Sequence, residues 1–374
     1  MFVAWRDLRH ARGRFALMTS VIALITLLVT LLAALTAGLG RASTSAVVDL
    51  PADRLAFAAP EAGAGPSFTQ SQVTEKQWKA WSEVAGVSWA QPLGLAQTRA
   101  TSNGADGTTA SVTALGVLPG SPLLPQDDGA GGLSDGTVVL SPGAADALAA
   151  RRGDTVTVGA SALTVVAVSS QDSDFAHTPT VWTTLDDWQA VGAHPTAGGA
   201  GDGALVATVV TLGLEPGTTP GVLTAADASI GTTTLTLSGA RSAISSYAAE
   251  HLSLTMMQGF LLVISALVVG VFFTVWTINR GRDIAVIKAL GGSTGYLLRD
   301  AIGQATVVLV LGTTIGAGLA TGIGLLAATV MPVVVGASTI MLPAVLLTVL
   351  GLVGATVAIA RIASIDPHSA LAAR

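Results

Sequence analysis

Glu250, His251, Met256 and Met257 fall within eight residues of one another. Carboxylate, imidazole and thioether are donors that a transition-metal centre takes, and Phe260 adds an aromatic face close by. Glu250 and Leu254 are spaced i, i+4, as are Ser253 and Met257, so a helix through them offers opposing faces. The same residues also fit a plainer role. Glu250 and His251 can cap the interfacial end of a helix, where an ionisable group costs little compared with about 2.5–3.5 kcal/mol at mid-bilayer. The methionines can pack against lipid or core. Asp172, Asp174 and His177 lie within six residues and are either metal donors or a polar turn before an extended run at 179–182. No serine–histidine–aspartate spacing, H-E-x-x-H run or histidine pair at metal spacing occurs. With no cysteine, thiolate nucleophiles, iron–sulfur clusters and cysteine zinc sites are excluded. The three lysines, Lys76, Lys79 and Lys288, follow no G-x-x-x-x-G pattern, so the chain has no loop to cradle the phosphates of ATP.

Of 374 residues, 51% are hydrophobic and 11% charged, against roughly 25% charged in an average soluble domain. Disorder and a disulfide scaffold are excluded, and the net charge of −5 argues against a nucleic-acid binder. Four stretches carry no charge over a bilayer-spanning length: 15–39, 252–278, 301–335 and 339–360. A hydrocarbon core of about 30 Å needs about 20 helical residues. The third stretch is long and is expected to break near Pro332. The first follows Arg6, Arg9, Arg12 and Arg14 and contains small residues at 34–37, as a signal peptide would. Its apolar run exceeds the roughly 7–15 residues of a signal core, so a retained helix is expected.

Charge orients the spans. Residues 41–250 hold 8 basic and 19 acidic side chains, whereas the remainder holds 10 and 4. By the positive-inside rule the N-terminus, the loop at 279–300 and the C-terminus are cytoplasmic. The expected organisation is a cytoplasmic N-terminus with the first span (1–40), an extracytoplasmic domain (41–250) and the second span (251–279). A cytoplasmic loop (280–300), spans three (301–335) and four (336–360) and a tail (361–374) follow. The expected fold class is therefore four transmembrane α-helices with a large mixed α/β domain inserted between the first and second. The expected location is a cell membrane.

Within that domain, β-branched runs at 137–140, 154–158 and 163–168 predict strands. Ser141 as cap, Pro142 in the first turn and Gly153 beyond the end predict a helix over 141–151. Thr74 caps a second helix over 74–84, with Trp78 and Trp81 on one face as core or as a binding platform. Segments 101–107 and 197–203, rich in Gly, Ala, Ser and Asp, are expected to be mobile loops.

In the cytoplasmic loop, Asp283 suits a helix start. Ile284, Ile287 and Leu290 form a narrow apolar stripe, and Gly291-Gly292 ends the helix. Such a stripe needs a cover, either lipid headgroups or a groove on a soluble partner. The third span carries Gly312-x-x-x-Gly316 and Gly318-x-x-x-Gly322, which suit close helix approach, to the fourth span or to a second copy.

The run Asp283-Ile284-Ala285-Val286-Ile287-Lys288-Ala289-Leu290-Gly291-Gly292-Ser293 resembles the "E-I-G-v-l-r-A-l-G-a-s" signature of MacB/FtsX-type ABC transporter permeases, with Asp283 where that family more often has Glu. The tail Ala363-Ser364-Ile365-Asp366-Pro367-His368-Ser369-Ala370-Leu371 is similar to their closing "a-s-r-l-d-P-a-e-A-L". The order of one helix, a large outer domain and three helices is the family's own. The sequence likeness is strongest over about residues 250–300 and 361–371. Within the family the chain looks most like haem-efflux permeases of the HrtB type. That likeness rests on Trp5-Arg6-Asp7-Leu8-Arg9, Arg12-Gly13-Arg14-Phe15, His177-Thr178-Pro179, Val181-Trp182, Asp186-Asp187-Trp188, Glu250-His251-Leu252-Ser253-Leu254 and Met257-Gln258-Gly259-Phe260. The outer domain is longer than that subgroup's.

The resemblance implies a permease subunit without catalysis of its own and with no intrinsic cofactor. It implies a homodimer in lipid and two copies of a separate ATPase that binds ATP and magnesium, with docking through Asp283, Ile284, Ile287 and Leu290. It also implies haem as the exported substrate. Haem needs apolar walls and an axial ligand, and Glu250, His251, Met256, Met257 and Phe260 are the binding candidates, Glu250 first for iron. Export of a peptide, lipid or antibiotic is the alternative, as is an FtsX-like signal transmitter that moves no cargo.

Overall fold

The computed structural model describes residues 12–103, 107–127, 129–191, 205–279 and 293–360. A 37-residue helix opens it, α1 (Arg12–Val48), followed by β1 (Arg54–Ala58), β2 (Val73–Thr74), α2 (Glu75–Ser82), β3 (Val87–Ser102) and β4 (Thr109–Val117). Next come β5 (Thr137–Leu140), α3 (Pro142–Leu148), β6 (Thr155–Val158), β7 (Ser161–Val168), β8 (Asp174–Phe175), β9 (Thr178–Thr184) and α4 (Leu185–Ala190). The last elements are β10 (Leu205–Ala207), β11 (Val209–Leu214), α5 (Pro220–Ile230), β12 (Thr232–Thr236), α6 (Ser245–Asn279), α7 (Thr294–Ala327) and α8 (Ala337–Ala360). The chain divides into a helical unit, Met1–Leu39 with His251–Arg374, and an inserted unit, Gly40–Glu250. Helices α1, α6, α7 and α8 are long and apolar enough to cross a membrane, and the mixed α/β domain falls between the first and second of them.

The inserted unit is built on a ten-stranded mixed sheet in the order β12-β1-β11-β3-β4-β9-β5-β7-β6, with β8 paired to β9. Its 16-residue β3 serves twice. The first half pairs with β11, the second half with β4, and Ala100–Ser102 pair with β6. The β3–β6 contact closes β3, β4, β9, β5, β7 and β6 into a ring, which leaves those strands no free lateral edge there. Only β4–β9 and β5–β7 run parallel. Both faces of the central strands are covered, so β4 reads as an unbroken buried run from Val112 to Val117 instead of alternating. Gly94 and Gly116 sit opposite each other in the β3–β4 register, and Trp188 of α4 lies flat over the gap they leave. A Cβ on Gly116 would lie 2.5 Å from the Trp188 Cβ, so the glycines are there to admit the indole.

The strand expectations at 137–140, 154–158 and 163–168 correspond to β5, β6 and β7, with β7 starting two residues earlier at Ser161. Thr74 caps α2 through a reciprocal capping box with Gln77. The helix expected over 141–151 is shorter. Ser141 caps it and Pro142 opens it, but it stops at Leu148 because Ala149 turns left-handed at φ 48°, and the Ala150 N–H closes back on the Ala145 carbonyl. Alanine serves as the stop where glycine was expected. Thr101 and Ser102, expected in a loop, pair as the end of β3, while residues 104–106 and 197–203 lie outside the described residues.

The membrane helices are longer than their apolar stretches. α1 continues nine residues past Leu39, and α6 begins seven residues before Leu252. A helix needs no apolar residues once it has left lipid, and Ser43, Thr44 and Ser45 continue α1 without a break. The third span ends at Ala327, well before Pro332, and Pro343 is accommodated inside α8. Within the helical unit, Gly312 packs on Ile22 and Gly316 on the Ala23 carbonyl and Thr26, so this pair serves α1 and not the fourth span. The approach of α8 uses Gly351 against Leu309 of α7 and Gly354 against Ala266 and Gly270 of α6. Gly318 and Gly322 meet nothing within 4 Å. Gln258 donates to Thr36 Oγ1 at 2.8 Å, a polar bond between α6 and α1.

Candidate functional site at the His177 junction

Strands β8 and β9 form a two-residue hairpin whose tip is Ala176-His177. Both tip residues are left-handed, at φ 48° and 63°, the combination a type I′ turn requires. Neither is glycine, so the turn carries backbone strain that docking must offset. The docking is visible. The Ala176 and His177 N–H groups donate to the carbonyls of Ser43 and Ala42 near the end of α1. Ser45 accepts from the Asp174 N–H and donates to the Asp174 carbonyl.

This turn aims the His177 ring between two helices. His177 Nε2 lies 2.8 Å from Ser43 Oγ on α1 and 2.8 Å from Glu250 Oε2 on α6. One ring nitrogen serves both, and it carries a single proton. The carboxylate beside it requires that Nε2 be the N–H donor, with the Ser43 hydroxyl as a second acceptor. This is no hydrolytic triad, because there serine and carboxylate contact opposite nitrogens. His177 and Glu250 side chains are 37% and 33% exposed, so the pair is reachable from solvent.

Asp174 completes the cluster. Its carboxyl is pushed up to about 6, first by burial and then by Asp172, while His177 and Arg41 pull it down. Arg41 is itself bonded to Asp49 at 3.2 Å. A folded-state value near 6 against an ordinary 3.8 means the folded chain binds the extra proton between those limits. Asp174 therefore favours folding below about pH 4, and that advantage fades as pH rises through 6. Thermal scans of the full chain should find Asp174→Asn more stable than wild type at pH 7.5, with the gap closing near pH 4.5. A gap independent of pH would contradict the assignment.

Of the sequence candidates, Glu250 is in this junction. The others on α6 do not converge with it. At about 100° per residue, Met257 shares the Glu250 face and does not oppose it as expected, whereas Met256 and Phe260 lie about a quarter turn or more to one side and His251 to the other. Met256, Met257 and Phe260 are 58%, 50% and 67% exposed. Two clefts of about 590 and 490 Å3 open in the inserted unit, and none of these five residues lines either. Asp172, Asp174 and His177 do not meet as metal donors, and among the described residues no three His, Cys, Asp or Glu side chains gather as a metal would need. Trp81 is fully buried, which makes it core and not a platform. The coupling residues Asp283, Ile284, Ile287 and Leu290, and the tail at 361–374, lie outside the described residues. Ser43 and Arg41 were not legible as site residues, since nothing in an apolar run ending at Leu39 signals that its helix continues. The His-Thr-Pro run was the available hint of a tight turn: histidine is enriched among non-glycine residues at positive φ.

Four apolar helices and a large domain inserted after the first define a multi-pass membrane protein of the permease kind. The profile of the MacB-like periplasmic core domain matches residues 15–226, and that of the FtsX-like permease C-terminal region matches 255–367. The chain belongs to the MacB/FtsX-type ABC transporter permeases. Among curated relatives, a Staphylococcus epidermidis protein named, provisionally, as the hemin transport system permease HrtB is 31% identical over 141 residues, 38% of this chain. That match spans 40% of the relative's own length. An uncharacterised ABC transporter permease of Mycobacterium bovis is 26% identical over 98% of both chains. Among solved structures, the periplasmic region of MacB from Actinobacillus actinomycetemcomitans aligns at TM-score 0.35 and 13% identity, covering 52% of this chain and 93% of that one. The extracellular domain of YknZ from Gram-positive bacteria aligns at 0.33 and 15%, covering 49% and 97%. At such scores the structural likenesses carry no argument.

Proposed function

We propose that this chain is the permease subunit of an ATP-driven efflux system that takes haem from the membrane and relieves its toxicity. Glu250 carries the reading: a half-exposed carboxylate where α6 emerges from its apolar stretch, at the level where a membrane-partitioning porphyrin arrives. A carboxylate can ligate ferric iron, and Met257 lies on the same helix face two turns on. The likeness to the hemin permease supports the cargo. The inserted domain is outside the cell and both termini are inside, a reading supported by the acidic 41–250 region and basic flanks.

The chain has no phosphate-cradling loop, so a separate ATPase pair supplies the energy, docking on the stripe Ile284, Ile287 and Leu290 with Asp283 at the helix start. Two permease copies assemble in lipid to give eight helices. α1 and α6 are single helices of 37 and 35 residues, each about 50 Å long, and each runs unbroken from its apolar stretch into the inserted unit. Substrate enters from the lipid or from outside and not through a continuous aqueous tunnel.

The purified chain should shift the Soret band of hemin, and Glu250→Ala should abolish the shift and the haem tolerance the wild type confers. An unchanged spectrum with unchanged tolerance removes Glu250 from the site. A second reading keeps the class and changes the cargo to a peptide, lipid or antibiotic.

A further inference from the structure

Glu250 is not free to take a ligand as it stands. Its Oε2 already accepts a hydrogen bond from His177 Nε2 at 2.8 Å. The geometry points to His177 as a positioning residue that holds Glu250 in reserve, so that a cargo claiming the carboxylate must first displace the imidazole. This rests on the haem reading above and goes beyond it by naming the residue that withholds the carboxylate.

The asymmetry of the turn supports the assignment. Toward α1 the hairpin is held by its own backbone: the Ala176 and His177 N–H groups on the Ser43 and Ala42 carbonyls, and Ser45 bridging both backbone groups of Asp174. Toward α6 the described bond is a single side-chain pair, His177 with Glu250. Backbone bonds in a docked hairpin persist when one side chain is exchanged. A half-exposed imidazole–carboxylate pair opens at little cost. Breaking it leaves the turn seated on α1 by its backbone.

Nor is anything orphaned by the exchange. The carboxylate passes from N–H donor to iron, and the Nε2 proton remains on histidine. The displaced N–H still has Ser43 Oγ at 2.8 Å as acceptor. Ser43 is thus the resting partner of the ring once Glu250 is taken. Ala176 and His177 are kept at positive φ although glycine would form the turn with less strain. A turn needed only as a chain reversal has no use for a ring placed there; a ring that must reach Glu250 does.

Hemin titration of the full-length chain in detergent, followed at the Soret band, tests this with His177→Gly. Glycine suits φ near +63°, so the turn folds and only the ring is lost. With Glu250 no longer held, hemin should bind about two- to fivefold more tightly, the factor a half-exposed ion pair is worth. The Soret position should match wild type, because the iron ligand is the same. His177→Asn, also at home in the left-handed region, has no imidazole to set against Glu250 and should behave alike. A merely structural histidine would instead lower affinity and thermal midpoint together. If wild type shifts the Soret band but both variants bind hemin equally or more weakly, the positioning role is overturned while the haem reading stands. If wild type itself gives no shift, the haem reading falls and takes this inference with it.

Discussion

Trp81→Ala is expected to cost the inserted unit about 3–5 kcal/mol, the range for emptying a fully buried tryptophan site. Trp81 is 0% exposed and belongs to the cluster that joins α2 and α5 to the sheet. Its Nε1 donates to Thr232 Oγ1 at 3.2 Å, and Thr232 in turn donates to Asp227 at 2.8 Å. Asp227 also takes the Thr234 N–H and hydroxyl, so the indole anchors one end of a buried polar chain. Truncation leaves a cavity and an unpaired hydroxyl acceptor at its wall. Trp81→Phe, which keeps most of the volume and loses the bond, should cost about 1–2 kcal/mol. Urea titration of the full chain followed by near-UV dichroism measures both. A loss under about 1 kcal/mol for the alanine variant would show that the core here relaxes or is wet.

Gly316→Leu is the second large effect, expected in the helical unit. A Cβ on Gly316 runs into the Ala23 carbonyl and comes within 2.7 Å of the Thr26 Cβ. The obstacle is backbone, so no rotamer change on α1 makes room, and the two helices must part. Overpacking costs typically about 1–3 kcal/mol, and more where backbone must move. Gly312, one turn away, faces Ile22 at 2.7 Å and gives a second test of the same seam. Gly318→Leu is the control, since nothing lies within 4 Å of that position. Thermal unfolding of the purified chain measures the loss against that control. A thermal midpoint for Gly316→Leu equal to that of Gly318→Leu would contradict the packing.

Much of the fold was open to reading because lipid imposes a coarse and strict rule: four uncharged stretches must be helices. The charge partition separated the inserted domain from the rest just as directly. What stayed hidden depends on long-range contact. Helix ends outside lipid obey no hydropathy rule, so α1 past Leu39 and α6 before Leu252 left no mark, although those segments hold Ser43 and Glu250. The stop at Ala149 escaped because alanine took a conformation that usually signals glycine. The closed strand ring depends on β3 meeting β6 more than fifty residues later, a pairing no local pattern encodes. Of the site, Glu250 and His177 were each visible as residue types, but 73 positions separate them and only the folded hairpin brings them to 2.8 Å. Conversely, the grouping of His251, Met256, Met257 and Phe260 by proximity in sequence ignored helical phase, which points them in different directions.

The proposal that a partner's ATP drives haem export is tested most directly by the ATPase activity of the reconstituted permease–ATPase complex across hemin, peptides and lipids. Hemin should stimulate hydrolysis several-fold, and Glu250→Ala should lose the stimulation while retaining basal turnover. Stimulation by a peptide or lipid with indifference to hemin would contradict the cargo. A complex that hydrolyses ATP at one rate whatever is added would contradict transport itself.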